Sequence, residues 1–369
     1  MDRVNLNGVI QQFIDRYEEL DGMPNNEGYK WQAVGTFQKY WDIEAEDFPQ
    51  MFADALRDTS NLIDNATVQP IGGIKMLLSH PEEVEFVREC FEDLFSEDGG
   101  DLEDRNHRIN NFMSNINEKI DKYVSGSWKY PQSRASVIYY LNLWKPEENY
   151  IFKSTEATEW ANCIEFGDDF GSGENFSLAV YYRMCEELRE AIKDNEHLLK
   201  FSMERLERAK ASCEVDFDDD LHIMVYDIIY CARAYSLYDN VSINKTSTKE
   251  RIKRAAERDK KESLEKEIAE IEEQLASERN RILPYPSLEG GTVKHKKYGE
   301  CKVVRVVDGR LYIDFKGEEK LFQFPGAFES GFMTCEDEAL MEAVKNNATV
   351  NKLIGDLELK LKVLRGENR

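Results

Sequence analysis

Residues 28–62 read GYKWQAVGTFQKYWDIEAEDFPQMFADALRDTSNL, and the fold class follows from how this stretch repeats. Trp31, Val34, Phe37 and Trp41 recur at helical spacing and fall on one face. After Asp42 the pattern restarts, and Phe48, Met51, Phe52, Ala55 and Leu56 form a core-facing stripe. Asp47 stands where a carboxylate accepts from open N–H groups, and Pro49 suits a first turn. The stretch predicts two short helices joined by a turn and sharing an aromatic seam. Large aromatics at this spacing build cores. The sharper alternative is a groove lined by Tyr29, Lys30 and Trp31 at the mouth of the first helix.

Helical periodicity extends outward from there. Val4, Val9, Ile10, Phe13 and Tyr17 precede the stretch on one amphipathic face. Pro81 opens a helix with Val84, Val87, Phe91, Leu94 and Phe95 inward, and Ile109, Phe112, Ile116 and Ile120 mark another. A second aromatic block, SWKYPQSRASVIYYLNLWKPEENYIFK (127–153), ends in Tyr150-Ile151-Phe152, read as a short strand. Residues 221–238 are mostly apolar and predict a buried helix. These segments make 1–246 a mainly helical domain.

The composition then changes. Residues 247–283 are rich in Lys, Arg, Glu and Ala, with Leu264, Ile268, Ile271, Leu275 and Ile282 on a coiled-coil-like seam. Polar and charged residues hold the equivalent positions upstream, so the seam is short. Residues 284–335 alternate apolar and polar at period two, with Asp308-Gly309 and Lys316-Gly317 as hairpin turns. An all-β unit this small predicts an SH3-like barrel. Residues 336–369 return to helix and suit antiparallel pairing with 247–282. The predicted class is thus α plus small β: a helical domain, a charged helical linker, and a small barrel flanked by helices.

The net charge of −24 is carried by one part of the chain: residues 1–246 hold 48 acidic against 24 basic residues, and the remainder balances. A general nucleic-acid binder works through an extended basic face. An acidic domain that touches nucleic acid needs a local aromatic or basic pocket, or a protein partner. Seven scattered cysteines without a CxxC pair read as buried thiols. The opening MDRVNLNGV resembles no secretory leader, and no 18-residue apolar run occurs. A cytoplasmic protein with no membrane partner is expected.

Catalytic signatures are missing. No phosphate-loop pattern, HExxH pair, GxSxG or spaced Cys–His pair occurs, so no enzyme activity, metal or cofactor is expected. Asp216, Asp218, Asp220 and Asp227 mimic a calcium loop, but Leu221 holds the place of its glycine. Asp219 or Asp220 reads better as a helix cap. Asp314 with Glu318 and Lys320 mimics a nuclease signature on a single hairpin, a weak third reading. What remains is binding chemistry. Tyr29, Lys30, Trp31, Trp41, Trp128, Lys129, Tyr150 and Lys153 could stack a base and hold a phosphate. The same residues fit a plain aromatic core with snorkelling lysines.

Two segments resemble known families. Residues 29–64, with Trp128 and 139–153, resemble the N-terminal module of McrB-like, modification-directed restriction ATPases, over roughly residues 25–205. Tyr29-Lys30-Trp31, Trp41-Asp42, Phe48, Thr59-Ser60-Asn61-Leu62 and Tyr150-Ile151-Phe152-Lys153 carry that resemblance. It implies target recognition, of modified DNA in that setting, for a motor ATPase that this chain does not contain. GTVKHKKYG (291–299) is similar to the opening of Tudor/KOW-like barrels, with Tyr298 where Phe is usual. That resemblance implies docking without chemistry, and it picks His295, Lys296, Lys297, Tyr298 and Phe332 for a partner. The leading expectation is a non-enzymatic recognition or adaptor protein of a bacterial restriction or defence context that binds nucleic acid through its first domain. The alternative is a protein–protein scaffold that docks through the barrel and coiled-coil helices.

Overall fold

The computed structural model describes residues 1–369 except 24, 65–66, 97–100, 240, 242, 244–246 and 367–369. The chain forms two compact units, 1–257 and 258–369. The division falls inside the Thr248–Asn280 helix, about ten residues beyond the change in composition. Its first turns belong to the first unit because Arg251 reaches back to the carbonyls of Phe166 and Asp168, and Ala255 is buried.

The first unit is built from helices, and its described residues include no strand. Tyr29–Tyr40 and Phe48–Ala55 form as the spacing predicts. Asp47 accepts from the Gln50 N–H at 3.1 Å, and Pro49 sits in the first turn. Trp31, Val34, Phe37, Phe48, Phe52 and Leu56 are all buried. Trp41 lies just past its helix and stacks on Phe37 at 4.7 Å. The expected strand at Tyr150-Ile151-Phe152 is instead a buried irregular segment. With no ladder to join, its polar groups use side chains: the Tyr181 hydroxyl donates to the Ile151 carbonyl, and Asn142 to that of Asn149.

A buried ionic cluster joins the centre of this unit. Lys30 donates to Glu27 and, at 2.6 Å, to Asp227. Arg205 donates to the other Asp227 oxygen at 2.5 Å and to Asp21 at 3.0 Å. Lys30, Arg205 and Asp227 are all but sealed from water. They come from three helices, Tyr29–Tyr40, Glu196–Cys213 and His222–Ala234. Burial alone would raise the Asp227 carboxyl, but the two cations hold it below its ordinary range.

The second unit contains a five-stranded antiparallel sheet: β1 (Thr292–His295), β2 (Gly299–Val307), β3 (Arg310–Phe315), β4 (Glu318–Gln323) and β5 (Met333–Thr334), in the order β4-β3-β2-β1-β5. Asp308-Gly309 and Lys316-Gly317 make the two hairpin turns, each with both residues at positive φ. In a flat sheet β1 and β4 would be separated by roughly 14 Å. Here the rings of His295 on β1 and Phe322 on β4 are 4.9 Å apart, so the sheet curls into a small barrel. Val293, Val303, Leu311, Ile313, Phe328 and Met333 fill it, joined by Leu340 and Val344 of the Glu338–Leu364 helix.

Within this unit Glu338–Leu364 runs antiparallel to the Arg258–Asn280 part of the long helix, through Arg279–Glu358 at 2.9 Å and Lys360–Glu267 at 2.8 Å. Of the expected seam, Ile271 and Leu275 are buried, whereas Leu264 and Ile282 stay exposed, so the apolar contact is shorter than its sequence pattern. Among the described residues no helix is long and apolar enough to cross a membrane. Six of the seven thiols are buried and all are free.

The ionic cluster gives a stability test. Asp227→Asn leaves two enclosed cations with half their compensation and is expected to cost about 3–5 kcal/mol in equilibrium denaturation. A loss below about 1 kcal/mol would contradict the enclosed geometry.

Candidate docking site

The five residues selected on the barrel come together. His295, Lys296, Lys297, Tyr298 and Phe332 line one cavity of about 470 Å³, with Phe322 and Ala327. The turn between β1 and β2 places four of them in sequence, and the curl of the sheet brings Phe322 across. Tyr298 lies 4.7 Å from His295 and 5.0 Å from Phe315, ring centroid to ring centroid. Phe332 is 55% exposed, a high value for a phenylalanine, and it leaves one wall of the cup open.

His295 shapes the turn. Its Nδ1 accepts from the backbone N–H groups of Lys297 at 3.0 Å and Tyr298 at 3.2 Å, which assigns the ring proton to Nε2. Burial, assisted by Lys297, moves its pKa below the ordinary 6.5, so the imidazole is neutral at pH 7. The ammonium groups of Lys296 and Lys297 lie over the rings of Phe332 and Tyr298, at 5.8 and 5.6 Å. Among the described residues neither has a carboxylate partner. The cup is therefore apolar inside and positive at its rim.

The eight residues chosen in the first unit do not form one pocket. Trp31 is fully enclosed, its indole N–H donating to Asp219 at 3.0 Å. Lys30 is spent in the ionic cluster. Tyr150 is buried, its hydroxyl donating to Glu186. Trp41 packs among Phe37, Phe48, Phe91 and Phe95. Trp128 stands on a separate exposed turn with the Lys129 ammonium 5.2 Å from its ring. The shared base-stacking platform is thus corrected: helix packing takes the indole of Trp31 and the ammonium of Lys30 inward. Tyr29, Lys30 and Lys153 do converge, around Tyr230, which sequence reasoning missed. Lys30 and Lys153 lie 4.5 and 5.8 Å from the Tyr230 ring, and Tyr29 lines a polar cleft with Glu27, Tyr230 and Tyr235.

The other candidates disperse. Asp216 pairs with Lys210, Asp220 with Arg189, and Asp227 lies in the ionic cluster, so no calcium loop forms. Asp314 accepts from the Gly317 N–H in its turn, while Glu318 pairs with Lys320 on the exposed hairpin. Glu27, Asp227 and Cys231 come within ligating distance of one another, but the Lys30 ammonium already bridges the two carboxylates. Comparison with protein-family models, curated proteins and solved structures finds no match to this chain, so neither resemblance gains support from them.

Two titrations follow. The Cε1–H resonance of His295 should titrate below 6.5. Because the folded ring resists protonation, its contribution to stability is complete above that pH and is lost as the pH falls through it. Asp219 behaves oppositely: burial raises its carboxyl from 3.8 to about 7. The folded state binds this proton more tightly, so stability falls as the pH rises between those values. Asp219→Asn keeps an acceptor for Trp31 and is expected to stabilise the protein at pH 8 by on the order of 2 kcal/mol, with no gain at pH 3. Equal effects at both pH values would contradict the assignment.

Proposed function

We propose that this chain is a non-enzymatic adaptor whose barrel docks a partner protein. The partner segment is acidic and carries one large apolar side chain. That side chain enters the cup between Tyr298, Phe322 and Phe332, while neighbouring carboxylates meet Lys296 and Lys297. The observation that carries this reading is an open aromatic cup rimmed by two lysines without carboxylate partners. Unpaired rim cations disfavour a cationic guest and steer an anionic one. The cavity is suited to one side chain as an anchor, the usual design of a binding hot spot. A motor ATPase presenting such a segment is the partner that the N-terminal resemblance implies, in a bacterial restriction or defence setting.

A nucleic-acid reading of the first unit keeps one exposed aromatic–cation pair, Trp128 with Lys129. It therefore ranks second. Fluorescence anisotropy separates the two with labelled peptides in which one Phe or Leu is flanked by Asp and Glu, alongside basic counterparts and plain or modified duplexes. The acidic peptides are expected to bind in the micromolar range and to weaken at higher salt. Phe332→Ala, or Lys296→Glu with Lys297→Glu, should weaken them at least tenfold without changing the unfolding midpoint. Binding indifferent to those substitutions, or duplexes binding more tightly than every peptide, would overturn the proposal.

A further inference from the structure

The helical unit holds a second site whose chemistry the barrel does not use. A cavity of about 800 Å³ is walled by the first turns of two helices, Arg134–Trp144 and Ser154–Cys163, by the loop at 171–174, and by the rings of Phe152 and Phe176. Arg134 stands in this wall, half-buried. Its guanidinium donates to Asn106 Oδ1 at 2.9 Å, Asn110 Oδ1 at 2.7 Å and the Gly173 carbonyl at 2.9 Å. All three acceptors are neutral. Its Cζ lies 4.8 Å from the centroid of Phe176.

Among the described residues no carboxylate pairs with Arg134, and burial pulls its pKa below the ordinary arginine range without an opposing anion. Lys30 and Arg205, also withdrawn from water, are each matched by carboxylates. A guanidinium stays charged whatever its surroundings. In a domain with twice as many acidic as basic residues, this one has no carboxylate partner among the described residues. Glu174 is the one acid among the described lining residues, and it is exposed.

Several other groups in the wall are donors suited to an anion. Ser114, Ser154 and Ser172 bring hydroxyls. The Ser154–Cys163 helix has no side-chain cap, so its first N–H groups are open, whereas the Arg134–Trp144 helix is already capped by Ser133, whose hydroxyl accepts from the Ser136 N–H. The guanidinium, the hydroxyls and the one uncapped helix end together offer donors on several sides of the cavity, and they match a phosphoryl group. Phe152, Phe176 and Met113 offer an apolar floor for a planar body. The volume falls within the range of pockets that hold small organic ligands.

We infer that this cavity binds a small organic phosphate of the mononucleotide type, with the phosphoryl group on Arg134 and the uncapped end of the Ser154–Cys163 helix and the planar body against Phe152 and Phe176. The site is independent of the barrel and stands or falls without it.

Calorimetric titration of the full chain tests it with nucleoside monophosphates, the matching nucleosides and inorganic phosphate. At least one nucleotide is expected to bind below 100 µM, roughly tenfold or more tighter than its nucleoside and than inorganic phosphate. Arg134→Gln should weaken it at least tenfold. Because Arg134 also ties three backbone and side-chain acceptors together, Ser154→Asp provides a second variant. Ser154 is exposed, and the new carboxylate should abolish binding while the unfolding midpoint stays unchanged. No nucleotide heat at millimolar concentration, equal affinity for nucleoside and nucleotide, inorganic phosphate binding as tightly as the nucleotide, or full binding by the Ser154→Asp variant would each overturn the proposal.

Discussion

The carboxylate of Asp227, held between Lys30 and Arg205, governs the helical unit. An ion in an apolar interior is tolerated only when its charge and hydrogen-bonding capacity are met. Each oxygen of Asp227 takes a different cation from a different helix, so the three helices are fixed in register as well as in contact. The guanidinium of Arg205 also stacks near Tyr17 and Trp31, at 4.9 and 5.1 Å. The cluster thus sets the direction in which Trp31 points. Trp31, on the same helix, turns its indole N–H to Asp219 in the interior, and of the three residues at the helix mouth Tyr29 is the one that lines a surface cleft.

The barrel obeys a different constraint. Its core is small, and its shape depends on the turn after β1, which has too few backbone partners of its own. His295 supplies one acceptor to two N–H groups, and this pulls the Lys296–Tyr298 segment into a tight corner. The corner brings both ammonium groups outward and the Tyr298 ring inward. Curling of the sheet then lays Phe322 against the same imidazole. A neutral ring is needed there, because a second proton on Nδ1 would face two donors.

Much of this was legible in the sequence, for physical reasons that differ by element. The amphipathic stripes, the Asp47 cap and the two turns are local: spacing and backbone preference decide them within a few residues. The barrel cup was legible because its members are neighbours in the chain, apart from Phe332 and the missed Phe322 and Ala327. The helical unit was less so. Whether Trp31 faces water or core depends on partners 188 and more residues away, such as Asp219, which no periodicity reports. One signal was available and passed over. Asp227 interrupts a run that is otherwise apolar from Ile223 to Tyr230, and a carboxylate in such a place demands a buried cation.

That demand works in both directions, and it orders the charges of this protein by what they can do. Lys30 and Arg205 are withdrawn from water and matched, so their energy goes into holding helices together. Surface pairs such as Lys320 with Glu318 are screened and contribute little to either fold or binding. Arg134, Lys296 and Lys297 belong to neither class: each sits against an aromatic ring, beside a cavity, with no carboxylate partner among the described residues. Removing such a cation further from water when a ligand arrives is favourable only if the ligand brings the missing anion. In a chain with so large an excess of acid, pairing these three internally would have required few changes. Their unpaired state keeps both cavities receptive to anionic guests, and it distinguishes them from the many lysines and arginines whose partners are already in place.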